Sequence, residues 1–249
     1  MISAHKENAY RLQIESLCSQ LVRKQRFTMM VAHEMRNVLA PLANGVQLLT
    51  RDDSPTTIRV WPVVARQLGQ LVRFVDDLVE IASSEEGGKM SLCIAAFDLR
   101  EVIAAAIEVA QPMISAREHR LTVLEHSVKI IVDGDRCRLI QAASNLLINA
   151  AKFTPEGGEI RISLQREGLF AKICVRDTGI GITEDRLQKI FDAGAGGVRR
   201  PDVARGGLGL GLAVARQLVE SHGGTLGAHS GGTGQGSEFV MRLPIAASR

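Results

Sequence analysis

Apolar positions in the first third of the chain recur at helical spacing. Leu17, Leu21, Phe27, Val31, Val38, Leu42, Val46 and Leu49 follow one another mostly at steps of three, four or seven, so residues 9 to about 50 read as one long helix with a single buried stripe. Arg51-Asp-Asp-Ser-Pro55 then supplies turn residues and a proline stop. From Ile58 to Ala82 a second series, Val64, Leu68, Leu71, Val75, Leu78 and Ala82, alternates steps of four and three as a heptad seam does. Two amphipathic helices joined by a short loop form an antiparallel hairpin. A lone hairpin leaves half of each stripe in water, so the pattern predicts that two chains pair into a four-helix bundle. Pro41 falls inside the first helix, and because Leu42, Val46 and Leu49 keep the period it should bend that helix rather than end it.

The pattern changes after the polar, glycine-bearing linker Ser83-Ser-Glu-Glu-Gly-Gly-Lys89. A strand is expected near Met90 to Ile94, a helix from the N-cap Asp98 to Arg117, and strands near Arg120 to Leu124 and Lys129 to Val132. A helix from Asp135 to about Phe153 follows, then strands at Glu159 to Arg166 and Phe170 to Asp177, separated only by Glu167-Gly-Leu169 and so forming a hairpin. A glycine-rich stretch leads into a helix from Gly209 to about His222, and the chain ends in strands at Leu226 to Ser230 and Ser237 to Leu243. The fold class expected is α+β: a helical hairpin in a dimeric four-helix bundle, then an α/β sandwich whose mixed, largely antiparallel sheet carries helices on one face.

Composition narrows the setting. With 249 residues, two domains are the better prior. Aromatics are 4% of the chain, so the cores must be built from Leu, Ile, Val and Ala. The formal net charge is +3 and the basic residues are dispersed apart from Arg199, Arg200 and Arg205, which does not suggest nucleic-acid binding. Cys18, Cys93, Cys137 and Cys174 form no metal-ligand spacing and read as reduced thiols. No window has the roughly 18 uninterrupted apolar residues of a membrane helix, and the N-terminus lacks the apolar core of a signal peptide, so a cytoplasmic location is expected.

Candidate chemistry lies in four stretches. In Ser144-Asn-Leu-Leu-Ile-Asn-Ala-Ala-Lys-Phe153 the polar residues Asn145, Asn149 and Lys152 fall at i, i+4 and i+7 and share one helical face. They read either as a satisfied structural network or as a site where an amide oxygen helps hold Mg²⁺ while Lys152 offsets phosphate charge. Arg176-Asp-Thr-Gly-Ile-Gly-Ile182 puts Asp177 just ahead of Gly179 and Gly181, where a carboxylate could accept an exocyclic amine and glycines allow close approach of a planar base. Alone, that pattern is a turn more often than a site. Gly206-Gly-Leu-Gly-Leu-Gly-Leu212 runs directly into a helix, where free amides can hold phosphate. It is not a Walker loop, because no Lys-Ser or Lys-Thr follows the glycines. In the first helix His33 and Asn37, four apart, stand side by side off the apolar stripe.

In order and spacing these stretches resemble the sensor histidine kinases of two-component signalling, with an ATP domain similar to that of gyrase, Hsp90 and MutL. His33-Glu-Met-Arg-Asn-Val-Leu-Ala-Pro-Leu42 looks like the phosphoacceptor box, Asn145 to Phe153 like the asparagine box, and Asp177 to Ile182 and Gly206 to Ala215 like the two glycine boxes. Ile190-Phe191 fits the phenylalanine box, and Gly234 to Phe239 the terminal glycine motif. The resemblance spans residues 25 to 245. It implies residues 1–24 as an input helix segment, 25–84 as a dimerisation and phosphotransfer domain, 85–89 as linker and 90–249 as the catalytic ATP-binding domain.

The roles that the resemblance implies are specific. His33 takes the γ-phosphoryl group, Glu34 holds and deprotonates the other ring nitrogen, and Asn37 orients water for dephosphorylating the partner regulator. Asn149 is the principal Mg²⁺ ligand, Asn145 and Lys152 lie near the phosphates, and Phe153 lies near the adenosine. Asp177 reads the adenine amine with Gly181 and, through water, Ser237. Gly179 flanks the base, and Gly207, Gly209, Gly211 and Leu212 line the triphosphate. The implied function is autophosphorylation from ATP and Mg²⁺ within a homodimer formed by residues 25–84, then transfer to an aspartate of a response regulator receiver domain. The alternative is a catalytically impaired, ATP-binding dimeric scaffold. Three departures bear on it: Val38 replaces the usual proline, Leu208 replaces a common Thr, and the lid between Phe191 and Gly206 lacks its second aromatic. A chaperone-like ATPase would not explain His33 in its box. His5, His119, His126, His222 and His229 match no motif and read as structural or solvated, and Met29, Met30 and Met35 as packing.

Overall fold

The described positions of the first third of the chain are helical, and part of their apolar stripe stays exposed. A computed structural model describes residues 92–124, 129–192 and 209–246, with positions 22, 28–29, 31–32, 35–37, 39–49, 60–65, 67–69, 71–72, 75 and 78 before them. The chain divides into two compact units, Met1–Asp76 and Asp77–Arg249. Every described position from 22 to 78 is helical, and residues 39–49 run through Pro41 without a break, so the proline does not end the helix. Gly45 is buried, and a Cβ there would lie 2.5 Å from Val64 Cγ2, so the two helical runs meet at a glycine. Val64 is 7% exposed, but the expected stripe residues Val46, Leu68 and Val75 are exposed, and Trp61 and Val72 join them. The residues His33, Glu34 and Val38 lie outside the described residues, as do the linker, Gly207, Leu208 and the lid from 193 onward.

The second unit is an α+β fold with a mixed sheet. Strand β1 (Ala95–Asp98) pairs antiparallel with β3 (Ile131–Gly134) in a two-stranded ribbon. The main sheet has the order β2-β4-β5-β7-β6, from β2 (Arg120–Leu124), β4 (Glu159–Glu167), β5 (Phe170–Asp177), β6 (Thr225–His229) and β7 (Ser237–Pro244). Only β2 and β4 run parallel; the other neighbours are antiparallel. Helices α1 (Leu99–Ala116), α2 (Arg136–Phe153) and α4 (Gly211–Ser221) form the second layer, with a short α3 (Glu184–Leu187) near the site.

Alternation explains the sheet and periodicity the helices. Ile160, Ile162 and Leu164 on β4, Ala171, Ile173 and Val175 on β5, and Phe239, Met241 and Leu243 on β7 are all 0–2% exposed, every second residue of each strand. Leu99, Val102, Ile103, Ala106, Ala110 and Ile114 bury one face of α1 at steps of three and four. Alanines at Ala106, Ala110, Ala142 and Ala143 let α1 and α2 pack closely, at 0% exposure. Each fully buried Leu or Ile contributes about 1.5–3 kcal/mol relative to exposure.

Both long N-caps are aspartates. Asp98 Oδ1 accepts from Arg100 N at 3.1 Å, and the Arg100 guanidinium holds its carboxyl below the usual range despite burial. Asp135 takes Cys137 N and Arg138 N on Oδ1 and Cys93 N on Oδ2, at 3.1–3.2 Å. Burial pushes the Asp135 carboxyl up, but these amides outweigh it and hold it below its ordinary value.

Three expectations shift. The first strand lies at 95–98 rather than 90–94: residues 92–94 have no regular structure, Ile94 is 57% exposed, and Phe97 and Asp98 turn inward to pair with β3. The next begins at Ile131 rather than Lys129, because that pairing sets Asp98 opposite Ile131. The last helix starts at Gly211, since Gly209 has φ 67°, a left-handed value that helix cannot accommodate.

Candidate functional site

Helix α2 is the axis of the site. Its i, i+4, i+7 row is half-buried: Asn145, Asn149 and Lys152 neither enter the core nor stand fully in water. Asn145 Nδ2 donates to Gly211 O at 3.1 Å, which ties the row to the first residue of α4, where the described glycine segment, Gly209 with Leu210, enters the helix. The Asn149 carboxamide makes no hydrogen bond to another described residue, so its oxygen is open for a ligand. Lys152 Nζ lies 4.9 Å from the Phe153 ring centre, so the last turn of α2 presents a cation beside an aromatic face.

The Asp177 loop docks on that last turn. Ile180 N donates to Phe153 O at 3.1 Å, and a Cβ on Gly179 would sit 2.6 Å from the same oxygen, so only glycine allows the approach. Asp177 ends β5 and is 4% exposed; its Oδ1 accepts from Gly179 N at 2.8 Å. Burial pushes its carboxyl above the ordinary range, against the opposing pull of hydrogen bonds from Gly179 and Ser237. Ser237 faces Asp177 directly across the β5–β7 pair. The loop is braced from behind: Gly234 N donates to Ile180 O at 2.7 Å, Gly236 N to Gly179 O at 3.1 Å, and Ile182 N to Ser230 Oγ at 2.9 Å. Gly181 has φ 70°, and a Cβ there would clash with Gly232 O. A carboxyl group of this kind can accept a hydrogen bond from a donor brought beside it.

The structure thus brings together Asn145, Asn149, Lys152, Phe153, Asp177, Gly179, Gly181, Gly209, Gly211, Leu212 and Ser237 in the second unit. Asn37 is an exposed helical residue of the first unit; His33, Glu34 and Gly207 are outside the described residues. Phe191 packs edge-on against Phe239 at 6.5 Å, with Arg216 5.3 Å from its ring. A Mg²⁺–phosphate group fits this donor set: a hard cation takes oxygen ligands, and Asn149 offers one beside the cation of Lys152. Among the described residues no group of three His, Cys, Asp or Glu could hold a metal. Cys174 is no candidate nucleophile, because burial pushes its thiol up to about 11.

Motif reading missed the residues that hold α2 itself. Arg117 donates to the carbonyls of Ala151, Lys152 and Thr154 at 2.9–3.4 Å, capping the helix end from which Lys152 and Phe153 project. These partners are 34 to 37 residues away, and no local spacing announces them.

Comparison with known proteins agrees with this geometry. Residues 134–247 match the family described as histidine kinase-, DNA gyrase B-, and HSP90-like ATPase. The signal transduction histidine-protein kinase/phosphatase MprB of Mycobacterium sp. (strain KMS) is 30% identical over 253 residues, covering 95% of this chain and 46% of that protein. The signal transduction histidine-protein kinase BaeS of Escherichia coli (strain K12) is 30% identical over 216 residues, 86% of this chain and 45% of that one. The solved structure of full-length ShkA in complex with AMPPNP matches with a TM-score of 0.65 at 25% identity, over 90% of this chain and 46% of that one. The chain spans less than half the length of these relatives. Among the described residues no helix is long and apolar enough to cross a membrane.

Proposed function

Because the chain belongs to the sensor histidine kinases and carries their gyrase- and HSP90-like ATPase domain, we propose that it transfers the γ-phosphoryl group of Mg-ATP to His33 and then to an aspartate of a response regulator. The observation that carries the reading is the buried Asp177 carboxylate, docked through Gly179 and Ile180 on the end of the helix that bears Asn149 and Lys152. Asp177 accepts the adenine amine, and the bulk of Gly179 and Gly181 is small enough for the base to approach. Asn149 holds Mg²⁺, which neutralises phosphate charge; Asn145 and Lys152 flank the phosphates, and Gly207, Gly209, Gly211 and Leu212 line them.

For the transfer, a neutral His33 ring nitrogen attacks the γ-phosphorus, the bond to the β–γ bridging oxygen breaks, and ADP leaves. Glu34 accepts the proton of the other ring nitrogen. Positioning and charge stabilisation supply most of such a barrier's reduction, so an ATP domain that delivers its substrate to a histidine on another domain is sufficient. The domains proposed are 1–24 as an input segment, 25–84 for dimerisation and phosphotransfer, 85–89 as linker and 90–249 for catalysis. Trp61, Leu68, Val72 and Val75, apolar and exposed on the single chain, support pairing of two hairpins into a four-helix bundle. Incubation with γ-labelled ATP and Mg²⁺ tests the reading: an acid-labile, base-stable label absent from His33→Gln is expected, and no label under any condition leaves the scaffold reading instead.

A phosphatase activity toward the regulator is the second reading. It is favoured by the helical, exposed Asn37 one turn past His33 and by the kinase/phosphatase name of the MprB relative. Unchanged dephosphorylation of the regulator by Asn37→Ala would remove it.

A further inference from the structure

We propose that His222 is a positioning residue of the nucleotide site, setting the register of α4 against α2; the inference rests on the ATP-binding reading above. His222 follows the last turn of α4 and is 8% exposed. Its Nδ1 lies 2.7 Å from Leu218 O and its Nε2 2.9 Å from Asp135 N. A backbone N–H can only donate, so Nε2 accepts from Asp135, and Nδ1 carries the ring proton and donates to Leu218 O. Both ring nitrogens are therefore committed, in one tautomer, to backbone groups of two different elements.

Those two elements are the ones that carry the ligand groups. Asp135 is the N-cap of α2, which bears Asn145, Asn149 and Lys152. At the other end of α4, Gly211 O accepts from Asn145 Nδ2. The helices run antiparallel and are pinned twice, by Asn145 at the glycine end and by His222 at the far end, about 16 Å of helix apart. One pin alone leaves a helix free to pivot about it; two fix rotation and register. The register decides where Gly209 and Gly211 stand relative to Asn149. The packing also makes room for the ring: a Cβ on Gly134 would lie 2.7 Å from His222 Cδ2. His119 provides the contrast. It is equally buried and bonds Ala151 O through Nε2, but its Nδ1 has no partner, so it links α2 to nothing on the glycine side.

The test compares His222→Gln, whose side-chain oxygen reaches the Nε2 position and can accept from Asp135, with His222→Asn, which reaches only the Nδ1 position. Mg-ATP binding to the full chain is titrated calorimetrically, KM and kcat for ATP are measured, and melting of the ATP-free chain is followed. The expected result is about a tenfold rise in Kd and KM for His222→Asn with kcat within about twofold, and Kd within about threefold of the parent for His222→Gln. Gly134→Ala, which crowds the ring, is expected to behave as His222→Asn, and it carries the test with His222→Gln if His222→Asn does not fold. His119→Asn is expected to lower the melting temperature and leave Kd unchanged. Parent-like Kd in His222→Asn or Gly134→Ala, or equal losses in the Gln and Asn variants, overturns the inference. A parent chain that binds no Mg-ATP overturns the ATP-binding reading instead.

Discussion

Trp61 in the helical unit is 60% exposed, whereas Phe239 in the α/β unit is 0% exposed, and the two residues stand for their surroundings. In the α/β unit the strand alternation and helix periodicity close on each other, with Leu146, Leu147, Ile160, Ile162 and Val214 all at 0%. The helical unit has the same kind of pattern, yet Leu68, Val72 and Val75 remain 44–54% exposed, although its two runs approach closely at Gly45 and Val64. An apolar stripe thus states only that something covers it. A sheet supplies that cover within one chain; a two-helix hairpin needs a second copy. On the function proposed above, nucleotide binding belongs to the self-sufficient unit and the other depends on association.

The largest effect separating the two regions is on stability. Leu147→Ala is expected to destabilise the α/β unit by about 2–5 kcal/mol in urea unfolding, whereas Leu68→Ala changes the unfolding of a dilute monomer by less than about 0.5 kcal/mol. Equal effects would break the comparison. Next, Asp177→Asn should weaken Mg-ATP binding at least 100-fold, about 2.7 kcal/mol, without lowering melting temperature at neutral pH. Burial raises the Asp177 carboxyl, so its favourable contribution to folding is present below the ordinary carboxylate range and lost as pH rises through the raised value. Any stability gain from the amide should therefore shrink as the solution is acidified, which calorimetry at two pH values reads out.

Leu68→Glu should raise the dimer dissociation constant at least tenfold, about 1.4 kcal/mol, and leave the Kd for Mg-ATP within about threefold. Sedimentation velocity with parallel titrations sharpens the comparison; a joint loss of both blurs it. The smallest effect is that of Asp135→Ala, about 1 kcal/mol from the lost cap. The Asp135 carboxyl is held low, so its contribution is present above the usual carboxylate value of about 3.9 and lost as pH falls through the lowered one. The difference between variant and parent should close in acid.

What was legible in the sequence follows the range of the interaction. Asp98 and Asp135 announce their helices because caps act within three residues, and Glu167-Gly-Leu169 announces its hairpin for the same reason. The face of Asn145, Asn149 and Lys152 was readable from helical spacing, as was Asp177 ahead of its glycines. The apolar run Met90 to Ile94 misled because β1 is chosen by pairing with residues 131–134, far along the chain. Helix α3 spans four residues, too few to show a period. The His222 bond to Asp135 joins residues 87 apart, so the sequence offers a histidine before two glycines and no sign of its partner. His222, read first as structural or solvated, is buried with both nitrogens engaged.

The division of labour is tested most directly by titrating Mg-ATP into residues 90–249 alone and into the full chain, then incubating each with γ-labelled ATP and mapping the label by peptide. The prediction is a Kd for the isolated unit within about threefold of the full chain, no label on that unit, and label on the His33 peptide of the full chain only. An isolated unit that binds no Mg-ATP, or a label that persists in full-length His33→Gln, would contradict the account.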